Sequence, residues 1–160
     1  MRKLGVAVIG VGGWGKNHAR AYKEIESTEL VAVCDVNAER AKSIARQYGI
    51  KAYTNSAKML KNEDIEAVSV CTWNCAHAPI SVAALEAGKH VLCEKPMAMN
   101  AGEAVKMQKA AERSGKLLMI GFVRRFGNDA AILKDFIDNG YFGEIYYAKA
   151  SYLRRNGCPG

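Results

Sequence analysis

A lysine held between an acid and a proline is the residue of this chain best suited to chemistry. Glu94, Lys95 and Pro96 follow the apolar run of residues 90–93, His-Val-Leu-Cys. Proline restricts the residue before it to an extended backbone and permits a cis bond, so the direction of the Lys95 side chain is defined. Such a lysine can hydrogen-bond a hydroxyl group and help to move its proton. The alternative is a solvated lysine at the end of a strand, followed by a turn proline.

A glycine-rich segment near the start of the chain has the spacing of a phosphate-binding loop. Residues 10–15 read Gly-Val-Gly-Gly-Trp-Gly, between a buried-strand pattern and a helical pattern. The first glycine of such a loop allows a tight turn, the second lets the backbone approach a pyrophosphate, and the third lets the helix pack on the strand. N–H groups at the helix start favour negative charge. The alternative is a structural glycine turn. The residues predicted to bind a dinucleotide are Gly10, Gly12, Gly13, Trp14 and Gly15.

Asp35 supplies the acid that this type of site requires, 20 residues after Gly15 and at the end of the next apolar run. Its carboxylate is expected to accept hydrogen bonds from the adenosine ribose and to repel a 2′-phosphate. NAD is therefore favoured over NADP, which stays possible. Arg40 is a further cofactor candidate, which can stack on adenine or neutralise a phosphate. Asp35 can also simply initiate the next helix.

Polar residues also gather after the fourth apolar run, which ends at Cys71. Residues 72–77 read Thr-Trp-Asn-Cys-Ala-His. Their hydroxyl, amide and imidazole groups are of the kind that a nicotinamide ribose or a substrate can hydrogen-bond. Equally, Asn74 can cap a helix and His77 can be a satisfied polar residue in its first turn. The candidates for cofactor binding are Cys71, Thr72, Asn74 and His77.

The remaining reactive residues are interpreted as structural. His18, three residues after Gly15, is expected to pack near the glycine loop. The five cysteines form neither a CxxC pair nor a zinc-ligand spacing, so no metal site is predicted. Their odd number and the lack of a signal-peptide pattern indicate a reducing cytoplasm. No apolar stretch reaches the roughly 18 residues of a membrane span.

Strand-like and helix-like segments alternate over the first 121 residues and must position these groups. The pattern predicts an α/β domain with a doubly wound parallel sheet of six strands, a Rossmann fold, whose ligands bind at the carboxyl ends of the strands. Domain 1-121 is accordingly interpreted as the NAD(P)-binding domain. The predicted strands are residues 4–10, 30–35, 51–53, 67–71, 89–93 and 116–121. The predicted helices are residues 13–25, 37–48, a short one after 55, 78–87 and 101–113.

The alternation stops after residue 121. A helix over residues 129–138 and a strand over residues 144–153 are predicted, and that strand has no later partner within the 160 residues. A long unpaired edge strand is an aggregation liability. Residues 122–160 are therefore interpreted as the beginning of a second, α+β substrate and oligomerisation domain that is truncated.

The composition argues against other classes of function. The net charge is +7, and the basic residues are scattered rather than collected in a stripe with interleaved aromatics. A nucleic-acid partner is therefore not predicted. With 49% hydrophobic and 24% charged residues, the chain has the composition of a soluble globular protein.

Taken together, these motifs resemble a known family, the glucose–fructose oxidoreductase/inositol dehydrogenase/MocA-like (Gfo/Idh/MocA) oxidoreductases. The resemblance covers the whole chain. Its most specific part is residues 84–96, Ala-Leu-Glu-Ala-Gly-Lys-His-Val-Leu-Cys-Glu-Lys-Pro. The other matching segments are residues 8–15, 34–37, 72–77 and 121–126.

The resemblance implies a two-domain NAD(P)-dependent dehydrogenase, with a sugar, a cyclitol or a related hydroxyl or keto compound as substrate. It implies that Lys95 is a catalytic residue that also contacts the cofactor, and that the bond before Pro96 is often cis. At Trp73 the chain departs from the family, which usually has proline there, so the shape of that loop stays open. The residues implied around the nicotinamide half of the cofactor are Thr72, Asn74, His77, Glu94 and Arg124.

The resemblance also implies a second domain that supplies an Asp…His pair and commonly forms the interface of a homo-oligomer. The 160-residue chain is therefore expected to bind NAD but to turn over little by itself. Two other functions stay open. One is a non-catalytic NAD(P) sensor or transcriptional regulator on the same fold, which would have no need of Lys95. The other is a stand-alone regulatory module of the potassium-channel type, which the Glu-Lys-Pro segment argues against.

Overall fold

The first part of the chain folds around one all-parallel sheet. The computed structural model describes residues 2–151, 153 and 155, and the chain divides into two compact units, Met1–Phe122 and Val123–Gly160. The six strands of the first unit lie in the order β3-β2-β1-β4-β5-β6. This confirms the predicted doubly wound α/β fold. The strands are β1 Leu4–Ile9, β2 Thr28–Cys34, β3 Lys51–Tyr53, β4 Ala67–Val70, β5 His90–Cys93 and β6 Leu118–Ile120.

Helices cover both faces of this sheet. Alternate residues of β1 enter two different apolar clusters, with Ala7 and Ile9 in one and Val6 and Val8 in the other. A strand buried on both faces reads as a continuous apolar run, which is why the pattern was readable in the sequence. The helices of this unit are α1 Gly15–Glu24, α2 Ala38–Tyr48, α3 Ser56–Met59, α4 Asn74–Glu86 and α5 Ala101–Ser114.

The predicted helix ends are confirmed where a local signal exists. The Asn37 side chain caps α2 by accepting from the Arg40 N–H, and Gly49 ends that helix with φ 67°. The start of α4 was predicted wrongly, because the helix begins at Asn74 rather than at residue 78. Its first turn is closed by the Ala76 N–H, which donates to the Trp73 carbonyl at 2.8 Å. Trp73, not Asn74, is the residue at the N-cap.

The second unit begins with one turn of 3-10 helix, Val123–Phe126, followed by α6, Asn128–Asp138. The predicted helix is thus confirmed. The predicted strand over residues 144–153 is wrong for residues 144–151 and 153, none of which is in a strand, and Tyr152 lies outside the described residues. A strand needs a neighbour to pair its N–H and C=O groups, and the apolar pattern alone does not provide one.

Candidate cofactor and active site

The glycine loop lies at the carboxyl end of β1 and is shaped by two close contacts. Gly10 has φ 84°, and a Cβ there would stand 2.6 Å from the Cys71 carbonyl oxygen. A Cβ at Gly15 would stand 1.8 Å from the Gly10 carbonyl oxygen. No side chain fits at either position, so these two glycines are required by the turn and by the packing of α1 on the sheet.

Gly12 and Gly13 are different, because no contact with the described residues requires a glycine there. A Cβ at either residue meets no heavy atom of the described residues within 4 Å, and neither has a left-handed φ. The space beside them is open, and α1 begins directly afterwards at Gly15. Trp14, at the N-cap, has no side-chain oxygen with which to satisfy the first N–H groups of the helix. The loop therefore offers N–H groups and free space to an anion such as a pyrophosphate.

Asp35 joins the end of β2 to the glycine loop. One carboxylate oxygen accepts from the Val11 N–H at 3.0 Å and the other from the Asn37 N–H at 2.9 Å. Arg40 Nη1 lies 3.2 Å from both oxygens. The side chain of Asp35 is 5% exposed, whereas that of Arg40 is 45% exposed. The carboxylate is thus fixed by the backbone, and Arg40 is the partner that can move to admit a ribose or a phosphate.

The Cys71–Thr72 segment lies where the strand order reverses, between β1 and β4. The Cys71 N–H donates to the Ile9 carbonyl at 2.8 Å. Ligands of doubly wound sheets bind in the crevice at this position. Burial raises the pKa of the Cys71 thiol to about 12, and the charges of Glu94 and Cys93 act in the same direction. Cys71 therefore contributes a neutral thiol to the crevice floor.

His77 lies between the loop after β4 and the turn after β5 that carries the candidate catalytic lysine. The residue is 1% exposed. Nδ1 lies 2.7 Å from the Pro96 carbonyl oxygen, and Nε2 lies 3.1 Å from the Thr72 carbonyl oxygen. Carbonyl oxygens only accept and a neutral imidazole has a single N–H, so a neutral ring donates to one of these two carbonyls while it packs between the loop after β4 and the turn after β5. The Lys95–Pro96 bond is cis, as the resemblance implies, and Lys95 itself is exposed.

Glu94 is the centre of a polar network that the sequence did not reveal. The residue is 6% exposed. Its Oε1 accepts from Trp14 Nε1 at 2.8 Å and lies 3.0 Å from His18 Nε2, while Oε2 accepts from the Lys95 N–H at 3.3 Å. The other nitrogen of His18 lies 3.0 Å from the Ser69 hydroxyl. The expectation that His18 packs near the glycine loop was right, but its contact with Glu94 was missed.

The missed contacts do have a signal in the sequence. Trp14, His18 and Tyr22 are spaced by four, which places them on one face of α1. Ser69 is the one polar residue in the apolar strand Ala67–Val70, and its hydroxyl lies 2.6 Å from the Tyr22 hydroxyl. A buried hydroxyl must find a hydrogen-bond partner, so a serine in a buried strand indicates that a polar helix face packs against it.

The first unit brings together nearly all of the predicted site residues. The loops after β1, β2, β4 and β5 carry them, and those loops lie at the same edge of the parallel sheet. Arg124 belongs to the second unit, in its 3-10 turn. Its role at the cofactor stays a prediction. Whether the other residues contact a cofactor stays a prediction as well.

Other kinds of site find little support among the described residues. The described residues contain no group of three side chains that could hold a metal ion. No helix among them is long and apolar enough to cross a membrane. A cleft of about 710 Å³ lies at the opposite edge of the sheet, beside Gly5 and Glu66. There Glu66 pairs with Arg2 at 2.8 Å and accepts from the Gly5 N–H at 3.2 Å. This cleft lies away from the glycine loop and from Lys95, and none of the predicted site residues lines it.

The strand order, the glycine loop and the acid after β2 define a class: a doubly wound α/β domain of the dinucleotide-binding type. Residues 4–122 match the model of the Gfo/Idh/MocA family, described as an oxidoreductase family with an NAD-binding Rossmann fold. The chain belongs to this family.

Similar proteins are sugar and cyclitol dehydrogenases. The chain is 42% identical over 159 residues to D-glucoside 3-dehydrogenase of Escherichia coli K12, covering 98% of this chain and 45% of that protein. It is 37% identical over 160 residues to inositol 2-dehydrogenase of Salmonella typhimurium LT2, covering 98% and 48%. It thus spans about half the length of the curated relatives it matches.

Solved structures show the same fold. One is scyllo-inositol dehydrogenase from Lactobacillus casei with bound cofactor NAD(H) and scyllo-inositol. It superposes with a TM-score of 0.84 at 26% identity, over 89% of this chain and 43% of that one. Another is myo-inositol 2-dehydrogenase from Lactobacillus plantarum, with a TM-score of 0.83 at 30% identity, over 90% and 43%.

Proposed function

We propose that this chain is the dinucleotide-binding portion of an NAD-dependent oxidoreductase acting on a sugar, a cyclitol or a related hydroxyl or keto substrate. The observation that carries the proposal is the open space beside Gly12 and Gly13, at the uncapped start of α1. That space is explained by a ligand with phosphate groups. The names of the similar dehydrogenases support the class of substrate.

The residues of the sheet edge fit NAD. The glycine loop and the start of α1 would hold the pyrophosphate, and Asp35 would accept from the adenosine ribose once Arg40 moves aside. NAD when bound would supply the hydride acceptor. Lys95, exposed at the end of β5, would hydrogen-bond the substrate hydroxyl and take its proton. Glu94 and the Thr72–Asn74 loop would flank the nicotinamide half.

NAD is favoured over NADP because the Asp35 carboxylate is fixed and its side chain is only 5% exposed. Arg40, the residue that could bind a 2′-phosphate, is already paired with this carboxylate. A 2′-phosphate would have to draw Arg40 away and would still lie beside the negative charge. A sensor or regulator on the same fold would have no need of a lysine at this position, and the similar proteins are named as dehydrogenases.

Calorimetric titration of the 160-residue chain with NAD and with NADP tests the cofactor part of the proposal. We expect sub-millimolar binding of NAD and weaker binding of NADP. Binding of neither cofactor by a chain that is folded, as judged by circular dichroism, would refute it. Lys51→Ala is the matched control, because Lys51 is an exposed lysine at the start of β3 and not a predicted site residue, so its truncation should leave NAD affinity unchanged.

The resemblance assigns an Asp…His pair of the second domain to the same site. We therefore expect the 160-residue chain to bind cofactor without appreciable turnover when it is assayed alone with NAD and a panel of polyols. Steady-state formation of NADH that depends on Lys95 would contradict this expectation.

We further propose a homo-oligomeric full-length form in a reducing cytoplasm. Light scattering tests the oligomer, and the four described cysteines, all free, support the reducing compartment.

A further inference from the structure

The Glu94 carboxylate fills a space beside Gly121 in which a second side chain would not fit. A Cβ at Gly121, at the end of β6, would stand 2.9 Å from Glu94 Oε1 and 3.2 Å from its Cδ. Glu94 is 6% exposed, so its charge is largely removed from water. A buried carboxylate is stable only where donors replace the lost water. Trp14 and His18 are the side chains of the described residues that provide them.

Chemistry sets the direction of the two side-chain hydrogen bonds to Glu94. The Trp14 indole can only donate, so Oε1 of Glu94 accepts from it. A carboxylate only accepts, so His18 donates from Nε2 to the same oxygen at 3.0 Å. The other ring nitrogen, Nδ1, lies 3.0 Å from the Ser69 hydroxyl, which in turn lies 2.6 Å from the Tyr22 hydroxyl.

The contacts of Glu94 continue into the interior through His18 and Ser69 to Tyr22. Burial raises the pKa of Tyr22, although its hydrogen bond with Ser69 acts in the opposite direction. Hydrogen bonds that are connected in this way strengthen one another in a low-dielectric interior.

The carboxylate links the two halves of the candidate site. Its Oε2 accepts from the backbone N–H of Lys95, the residue next to it, at 3.3 Å. Its Oε1 contacts Trp14, the N-cap residue of α1 in the glycine loop. A shift of Glu94 would therefore disturb both the start of the lysine turn and the end of the phosphate-binding loop.

We propose that His18 is a positioning residue of this site, which holds the Glu94 carboxylate beside Lys95 and, through Trp14, ties it to the glycine loop. The proposal rests on the proposed function for its consequence, because a displaced Glu94 weakens the binding of NAD. His18 itself does not act on the cofactor. Its effect passes through Glu94.

Cofactor-free protein provides the first test. The indole N–H signal of Trp14 in NMR spectra reports its hydrogen bond with Glu94, and Trp73, which is 78% exposed, gives a reference signal. His18→Leu removes the ring donor and is expected to shift the Trp14 signal and to accelerate its exchange with water. His18→Gln retains an N–H donor and is expected to leave that signal close to the wild-type position. An unchanged Trp14 signal in His18→Leu would overturn the proposal.

Titration with NAD provides the second test. We expect His18→Leu to weaken NAD binding roughly tenfold, the scale of one lost hydrogen bond to a charged group, and His18→Gln to stay within about threefold of wild type. In a Glu94→Ala background, His18→Leu should add less than about a twofold loss, because residues that act through one another are not additive. Independent, additive losses would show a merely structural role and would overturn the proposal.

A third variant covers the case in which His18→Leu does not fold. Gly121→Ala is expected to displace Glu94 with His18 intact, and so to shift the Trp14 signal and weaken NAD binding, while His18→Gln preserves both. A His18→Gln variant in which the Trp14 signal shifts and NAD binding weakens as well would overturn the proposal. Wild-type protein that fails to bind NAD but shows the expected indole signals would refute the proposed function and support the positioning of Glu94 by His18.

Discussion

Replacing Gly12 by alanine should separate the stability of this fold from its ability to bind a dinucleotide. A Cβ at Gly12 meets no heavy atom of the described residues within 4 Å, and the residue is not left-handed. The substitution should therefore stabilise the free protein by about 0.4–1 kcal/mol, because alanine restricts the unfolded chain more than glycine does. The same methyl group would occupy the space expected for the pyrophosphate.

The expected loss of NAD affinity follows from steric overpacking. A methyl group forced into a close-packed contact costs about 1–3 kcal/mol, and a cost of about 2 kcal/mol corresponds to a roughly thirtyfold weaker Kd. Urea denaturation followed by circular dichroism measures the stability, and calorimetric titration measures the affinity. Gly12→Ala should thus be at least as stable as wild type and yet bind NAD poorly.

Two other glycines provide the controls. Gly15→Ala places a Cβ 1.8 Å from the Gly10 carbonyl oxygen, so it should destabilise the fold by about 3 kcal/mol or more. Gly49→Ala, before β3 at the other edge of the sheet, has open space but φ 67°, so it should cost about 1–2 kcal/mol of stability without changing NAD affinity. Wild-type affinity in Gly12→Ala would refute the placement of the pyrophosphate.

Three further predictions concern the rest of the site. Arg40→Ala should weaken NADP binding more than NAD binding in parallel titrations, because Arg40 is the nearest cation to Asp35; equal losses would show that it does not contact a phosphate. Iodoacetamide near pH 8, followed by peptide mass spectrometry, should label exposed Cys75 and spare Cys71, whose thiol has its pKa raised to about 12 by burial and therefore stays protonated. Rapid labelling of Cys71 would show that the crevice floor opens. His77→Ala should lower the free energy of unfolding by about 1–3 kcal/mol in urea, because a buried carbonyl oxygen loses its donor; an unchanged free energy of unfolding would contradict this.

The elements that the sequence predicted best are those whose signals are local. The β1 strand is an uninterrupted apolar run because both of its faces are buried, and the α2 helix lies between an asparagine cap and a glycine with positive φ. Each signal resides in a few adjacent residues and needs no knowledge of the rest of the fold. Six strands in the predicted arrangement followed from such signals and from the rules that govern parallel sheets.

The errors occurred where a long-range contact determines the local structure. The α4 helix starts at Asn74, and the His77 ring in its first turn lies 2.7 Å from the carbonyl oxygen of the distant Pro96. The segment after residue 143 has a strand-like apolar pattern, but a pattern does not provide the hydrogen-bonding neighbour that makes a strand. In both cases the deciding group lies elsewhere in the chain.

The Glu94 network shows how two weak local signals become one strong inference once the sheet order is known. A helix face such as that of Trp14, His18 and Tyr22 more often packs against the core than forms a functional site, and a serine in a strand commonly has no functional role. When β1 and β4 are neighbours, however, α1 lies over β4, and this helix face meets the buried serine. The carboxylate at the end of β5 then accepts hydrogen bonds from the Trp14 indole and from His18. In the proposed site, Glu94 thus connects the backbone of Lys95 to Trp14 and His18, so the Glu-Lys-Pro segment is positioned by the glycine loop and the first helix as well as by its own strand.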